Sequence, residues 1–153
     1  MNTIRIQAAA LIDAPAKRVY DIIADYRDAH PRILPRNFFT EMEIERGGVG
    51  AGTVFRIGTK LFGQKRTASM VVTEPDPGCV ISERDPISGL VTTFRVSAEH
   101  HGHHAHVTIV TDIPKGRGLR GVIEALVLPR VLRKVYNQEL QQLSDVARGT
   151  GIN

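Results

Sequence analysis

Apolar and polar positions alternate at the start of the chain, where Ile4, Ile6 and Ala8 are separated by Arg5 and Gln7. A period of two belongs to a strand with one buried face, which predicts a first strand over "TIRIQAAALI" (3–12). The period then lengthens. In "DAPAKRVYDIIADY" (13–26), Val19, Ile22, Ile23 and Tyr26 recur at i, i+3, i+4 and i+7, the buried stripe of a helix. Pro15 suits the first turn, where its missing N–H is not needed, and Asp13 is placed to help cap it. "RDAHPRILPRNFF" (27–39) carries Pro31 and Pro35, so no long regular helix passes through it. Its apolar residues Ile33, Leu34, Phe38 and Phe39 predict a short helix or loop covering a core or a pocket.

From residue 40 to Pro114 the pattern is one of strands and turns. Strands are predicted over 40–46, 53–61, 64–74, 79–84, 91–100 and 105–113, broken by "GGVGAG", "FG", "PDPG", "DPISG" and "HGHH". Short links between successive strands predict an antiparallel meander. The chain closes with "GLRGVIEALVLPRVLRKVYNQELQQLSDVARG" (118–149), one long helix by its apolar period. Val127, Val131 and Val135 form one i, i+4 row; Leu128, Leu132, Tyr136 and Leu140 form the next. Pro129 inside it removes one backbone hydrogen bond and predicts a kink, and Gly149 is a natural stop. A sheet of this kind has one face to cover, and the long helix is the only element large enough to cover it. If the sheet curves strongly, a cavity remains between the two.

Composition narrows the class without naming a function. The 153 residues, 42% hydrophobic and 24% charged, suit a single domain over 1–153. No apolar run approaches the roughly 20 residues that span a bilayer, and Arg5, Gln7 and Asp13 interrupt any signal-peptide core at the N-terminus. A lone cysteine, Cys79, excludes an internal disulfide framework, so a cytoplasmic location is expected. The net charge of +4 is concentrated: Lys115, Arg117, Arg120, Arg130, Arg133 and Lys134 face one acid, Glu124, within 20 residues. Such a patch is either a solvated helix face or a contact for an anionic ligand, a lipid surface or nucleic acid.

Several stretches invite a chemical reading. "EHHGHHAH" (99–106) holds five of the six histidines. It lies where two strands join, with His104 and His106 on the outward face and His101 across from them. With no cysteine near and Glu99 the one close carboxylate, it reads as a turn, and no metal or other cofactor is expected. "GGVGAG" (47–52) fails the spacing of a phosphate-binding loop and is followed by a strand rather than a helix, so it too reads as a turn. Among the acids, Glu83 shares its strand face with Ile81 and is the one placed to look into a cavity. Whether Arg56, Arg66, Glu83 and Arg95 point inward or outward is left open by parity across bulges.

The chain resembles the START-like, Bet v 1-like (SRPBCC) superfamily, and within it the polyketide cyclase/dehydrase-like branch. The resemblance rests on "IDAPAKRVYDIIADYRDAHPRILP", "GGVGAGTVFRI", "VTEPDPGCVISE" and "LVLPRVLRKVYNQELQQL". It implies an α+β helix-grip fold: a curved antiparallel sheet of about seven strands around a long C-terminal helix, with one or two short helices after the first strand. Many relatives carry a Trp after the first helix, where this chain has His30 and Ile33. The function implied is binding of a hydrophobic or amphipathic small molecule (lipid-, quinone- or polyketide-like) between sheet and helix. The candidate lining is Phe55, Ile57, Met70, Phe94, Val96 and Ile109 from the sheet and Ile123, Val127 and Val131 from the helix, with Ile33, Leu34 and Phe38 guarding the mouth. A cyclase/dehydratase-like enzyme using the same cavity, and a protein-interaction module acting through the basic helix, are the alternatives. No catalytic residues are assignable. Lys115, Arg117 and Arg120 are placed for peripheral contact with an anionic membrane, and no nucleic-acid partner is expected.

Overall fold

The computed structural model describes residues 3–116 and 118–149; the side chains of Leu119 and Arg120 are also outside the description. Seven strands, β1 (Thr3–Ile12), β2 (Phe39–Arg46), β3 (Val54–Leu61), β4 (Gln64–Asp76), β5 (Val80–Arg84), β6 (Val91–Glu99) and β7 (His104–Pro114), form one sheet. Its order is β1-β7-β6-β5-β4-β3-β2, antiparallel throughout, so β2 to β7 form a meander and β1 joins beside β7. Two short helices, α1 (Ala16–Ala24) and α2 (His30–Ile33), follow β1, and α3 (Gly118–Ala147) closes the chain. This is the helix-grip arrangement. Among the described residues, no helix is long and apolar enough to cross a membrane.

Alternation along the strands sets the inner face. In β1 Ile4, Ile6, Ala8 and Ile12 are buried, while Arg5 pairs outside with Asp112 across the strand at 2.8 and 3.0 Å. α1 buries Val19, Ile22 and Ile23 as its period requires. It ends two residues early, however, and Asp13 does not cap it. Asp13 Oδ1 instead lies 3.2 Å from His104 Nε2, and Pro15 holds the N-cap position with no side-chain hydrogen bond. At the other end Asp25 leaves helical geometry because it bridges to Val49 and its carboxylate accepts the N–H groups of Asp28 and Ala29.

The glycine-rich turn is the clamp that fixes this exit. Gly50 donates to the Ala24 carbonyl and Arg27 N–H to the Gly48 carbonyl. Gly50 has φ +65°, and a Cβ there would fall 2.7 Å from the Glu74 carboxylate, so both backbone and space call for glycine. Glu74 in turn accepts the Tyr20 hydroxyl at 2.6 Å and the Ala51 N–H at 2.9 Å. The chain leaving α1 is thereby held so that Tyr26 and His30 turn inward.

The two halves of α3 differ. Leu132, Val135, Tyr136, Leu140 and Leu143 are buried, each full burial contributing about 1.5–3 kcal/mol. Val122, Ile123, Leu126 and Val127, before Pro129, are largely exposed. The helix is continuous through Pro129 and packs chiefly on β1, α1 and α2. Because α3 grips one side of the sheet, space is left under it over the central strands.

The histidine stretch forms a 3₁₀ turn, His100–Gly102, between β6 and β7, with His106 exposed and His104 half-buried. Ala98 keeps the inward parity but lies beyond the core and is exposed, whereas Ala105 is fully buried. Among the described residues no three His, Cys, Asp or Glu side chains gather in a way that could hold a metal ion.

Candidate ligand-binding cavity

The space under α3 is a cavity of about 760 Å³, bounded by β3 to β6, the end of β7, α2 and the residues after it, and α3. Eight of the residues anticipated from the sequence line it: Leu34, Phe38, Phe55, Ile57, Met70, Phe94, Ile123 and Val127. Four do not. Ile33, Val96 and Ile109 are buried in the packed core, the latter two on strands that α1 covers. Val131 is half-buried beside the lining stripe of α3, which runs through Leu128, Leu132, Tyr136 and Glu139.

One row of residues crosses the sheet at the deep end. Cα partners run from Val72 to Glu83, Glu83 to Thr92, Thr92 to Thr111 and Thr111 to Ile6. Three consecutive members of this row are polar on the inner face. Thr92 and Thr111 hydroxyls are 2.8 Å apart, and the Tyr136 hydroxyl comes down from α3 to 2.6 Å from Thr111 Oγ1. Glu83 Oε1 accepts the Tyr26 hydroxyl at 2.8 Å. The neighbouring row, Ile81, Phe94 and Ile109, is apolar and closes the cavity beneath α1.

His30 completes this end. Its ring stacks on Tyr26 at 4.5 Å between centroids and meets the edge of Phe94. His30 Nδ1 lies 2.6 Å from the Ile23 carbonyl, which only accepts, so the ring proton is on Nδ1 and Nε2 carries the lone pair. Nε2 faces Glu83 Oε1 at 3.6 Å. An ion pair is the first reading of that contact, yet burial acts against charge on both partners. Burial lowers His30 to about 4, against the smaller pull of the Ile23 hydrogen bond. Burial raises Glu83 to about 7, against the Tyr26 hydrogen bond. At neutral pH the contact is therefore a neutral imidazole facing a carboxyl near its titration point.

Glu139 is the second buried acid, 3% exposed and lining the cavity from α3. Burial, and then the neighbouring Glu83, push its carboxyl well above the usual range. No described residue donates a hydrogen bond to it. The remaining orientations are now fixed. Arg56 points out and pairs with Glu43, Arg95 is exposed on the outer face, and Arg66 is exposed at the cavity mouth with Gln64 and Thr67.

The sequence reading missed His30, Tyr136 and Glu139 as lining residues. Glu139 carried a signal, for it stands at i+3 from Tyr136 and i+7 from Leu132, a carboxyl on the apolar stripe itself. His30 carried none, because a one-turn helix has no period to read.

Residues 3–148 match the family profile described as polyketide cyclase/dehydrase and lipid transport. The chain belongs to this family. Solved structures agree. KanY protein is 25% identical with a TM-score of 0.83, the alignment covering 97% of this chain and 100% of KanY. TTHA0849 from Thermus thermophilus is 17% identical with a TM-score of 0.79 over 95% and 97% of the two chains. The Zhui aromatase/cyclase from Streptomyces sp. R1128 is 18% identical with a TM-score of 0.68 over 99% and 100%. No curated protein matches the chain. In this family member His30 is buried and lines the cavity.

Proposed function

We propose that the protein binds an amphipathic small molecule, lipid-, quinone- or polyketide-like, with its apolar body against Phe55, Ile57, Met70 and Phe94. Its polar end meets Glu83, Thr92, Tyr136 and Glu139. The observation that carries this reading is the cavity of about 760 Å³ with mainly apolar walls and polar groups gathered at its closed end, the usual make-up of a small-molecule site. Native mass spectrometry of the purified protein is expected to show a bound small molecule or, for the empty protein, stoichiometric uptake of the neutral apolar dye Nile red. A bare mass together with no dye uptake would overturn the reading.

A second reading, cyclase/dehydratase-like catalysis in the same cavity, is favoured by one contact. A carboxyl near pH 7 beside a neutral imidazole is suited to move a proton to or from a bound carbonyl compound. Turnover of an aromatic polyketide-type substrate that is lost in Glu83→Gln while binding persists would establish it.

The mouth supports a further part of the binding proposal, contact with an anionic membrane. Phe62 and Ile123 are exposed apolar side chains that line the cavity, Val122 and Leu126 are exposed on the same half of α3, and Lys115 is exposed two residues beyond the lining residue Ile113. Arg117 and the side chain of Arg120 lie outside the described residues. Changing Lys115, Arg117 and Arg120 together to Gln is expected to weaken binding to phosphatidylserine vesicles by roughly 1 kcal/mol per residue. Wild-type protein that ignores such vesicles at low salt would remove the membrane step.

A further inference from the structure

Among the described residues, the closed end of the cavity holds two carboxyl groups and no cationic partner for them. Glu83 comes from β5 and Glu139 from α3, so the sheet and the helix each supply one. Both are more than nine-tenths buried, and Glu139 opens onto the cavity without a hydrogen-bond donor among the described residues. Tyr26 after α1 and His30 on α2 contact Glu83, and the other polar side chains described at this end, Thr92 on β6, Thr111 on β7 and Tyr136 on α3, hydrogen-bond one another. None is a cation at neutral pH. Asp85 and Glu124, which also line the cavity, are further acids.

Arg66 is the one lysine or arginine among the described lining residues. It is exposed, and it precedes Val72, the cross-strand partner of Glu83, by six positions on β4. At about 3.3 Å per residue that separation is roughly 20 Å, beyond the screening length of physiological salt. Arg66 does not neutralise the closed end.

We propose that the cavity selects an amphipathic base, with an ammonium group between Glu83 and Glu139 and an apolar body extending toward Ile57, Ala68 and Val127. This rests on the small-molecule reading above and specifies the polar end of the ligand. An ammonium group carries only donors, and once ionised Glu139 offers only acceptors with no donor among the described residues to fill them. Its charge relieves the repulsion between two carboxyls close enough for one to raise the other. Once the two acids are ionised, a carboxylate head group would bring a third negative charge into the same buried space. A hydroxyl head group is tolerated only by protonated carboxyls and gains no charge pairing. The preference for the base therefore grows as pH rises and the two acids ionise, until the amine itself loses its proton near the lysine range, about 10.4.

The test is displacement of Nile red from the full-length protein by dodecylamine, dodecanol and dodecanoate, each below its aggregation limit, at pH 8 and pH 5. Dodecylamine is expected to bind at least about tenfold more tightly than dodecanol at pH 8, with dodecanoate weakest and the amine's advantage smaller at pH 5. Glu139→Gln, checked for folding by circular dichroism, is expected to cost the amine much more affinity than the alcohol. Dodecanol or dodecanoate binding as tightly as the amine at pH 8 would overturn the inference while leaving the binding reading intact. So would an amine advantage that survives in both Glu139→Gln and Glu83→Gln. Failure of Nile red and all three amphiphiles to bind would overturn both.

Discussion

Glu83→Gln is expected to be more stable than the wild type by about 3 kcal/mol at pH 8 and no more stable near pH 4. The folded carboxyl titrates at about 7 and the ordinary value is 4.5, and each unit corresponds to about 1.36 kcal/mol. Below 4.5 both folded and unfolded states carry the proton, so the burial of Glu83 costs nothing in charge. As pH rises from 4.5 to 7 the unfolded chain releases the proton and the folded chain retains it, and stability falls; above 7 the loss is complete. His30 works in the opposite sense, since its folded value is depressed to about 4 from 6.5. Its contribution is present above 6.5 and is lost as pH falls toward 4. Glu139, raised like Glu83, adds a fall with rising pH. The wild-type profile therefore mixes three titrations, and the difference between variant and wild type reports Glu83 together with its influence on Glu139. Urea unfolding across pH 4 to 8 measures it, and superimposable curves at pH 8 would show that Glu83 is not held in a low-dielectric site. The Gln amide oxygen still accepts the Tyr26 hydroxyl, so packing is preserved.

The second large effect belongs to Phe94→Glu, expected to destabilise the protein by on the order of 4 kcal/mol. Phe94 is 2% exposed, with Ile81 and Ile109 as its cross-strand partners and His30 against its edge. The substitution removes an aromatic side chain and places a third acid beside Glu83. The adjacent Arg95→Glu changes charge by more, yet faces solvent and should stay within about 0.5 kcal/mol. Thermal unfolding of the two variants side by side checks the strand parity directly, and equal losses would contradict it.

Where a side chain repeats a period, its place was legible. Ile4, Ile6 and Ala8 in β1, and Val19, Ile22 and Ile23 in α1, are buried as their spacing requires. Six lining residues, Phe55, Ile57, Met70, Phe94, Ile123 and Val127, followed from the same argument applied to the sheet and α3. The misplacement of Val96 and Ile109 has one cause. Period assigns a face but not what stands opposite that face, and the inner face of a curved sheet serves both a packed core and an open cavity. Val96 and Ile109 share the parity of Thr92 and Thr111 yet lie under α1, where the space is filled. Asp13 illustrates a second limit. Its local sequence suits a helix cap, but the approach of His104 from β7, unreadable from spacing, takes its carboxylate instead.

The place of β1 in the sheet fixes the order in which the molecule can be completed. Ile12 pairs with Ala105 and Thr3 with Pro114, so during synthesis β1 meets its neighbour only about 100 residues later. Until then Ile4, Ile6 and Ala8 have no sheet to join, and α3, which also rests on β1, has not been made. A chain halted before His104 therefore has an unfinished wall on one side and no helix to roof the cavity. Closure of the fold and creation of the binding space are the same late event in synthesis.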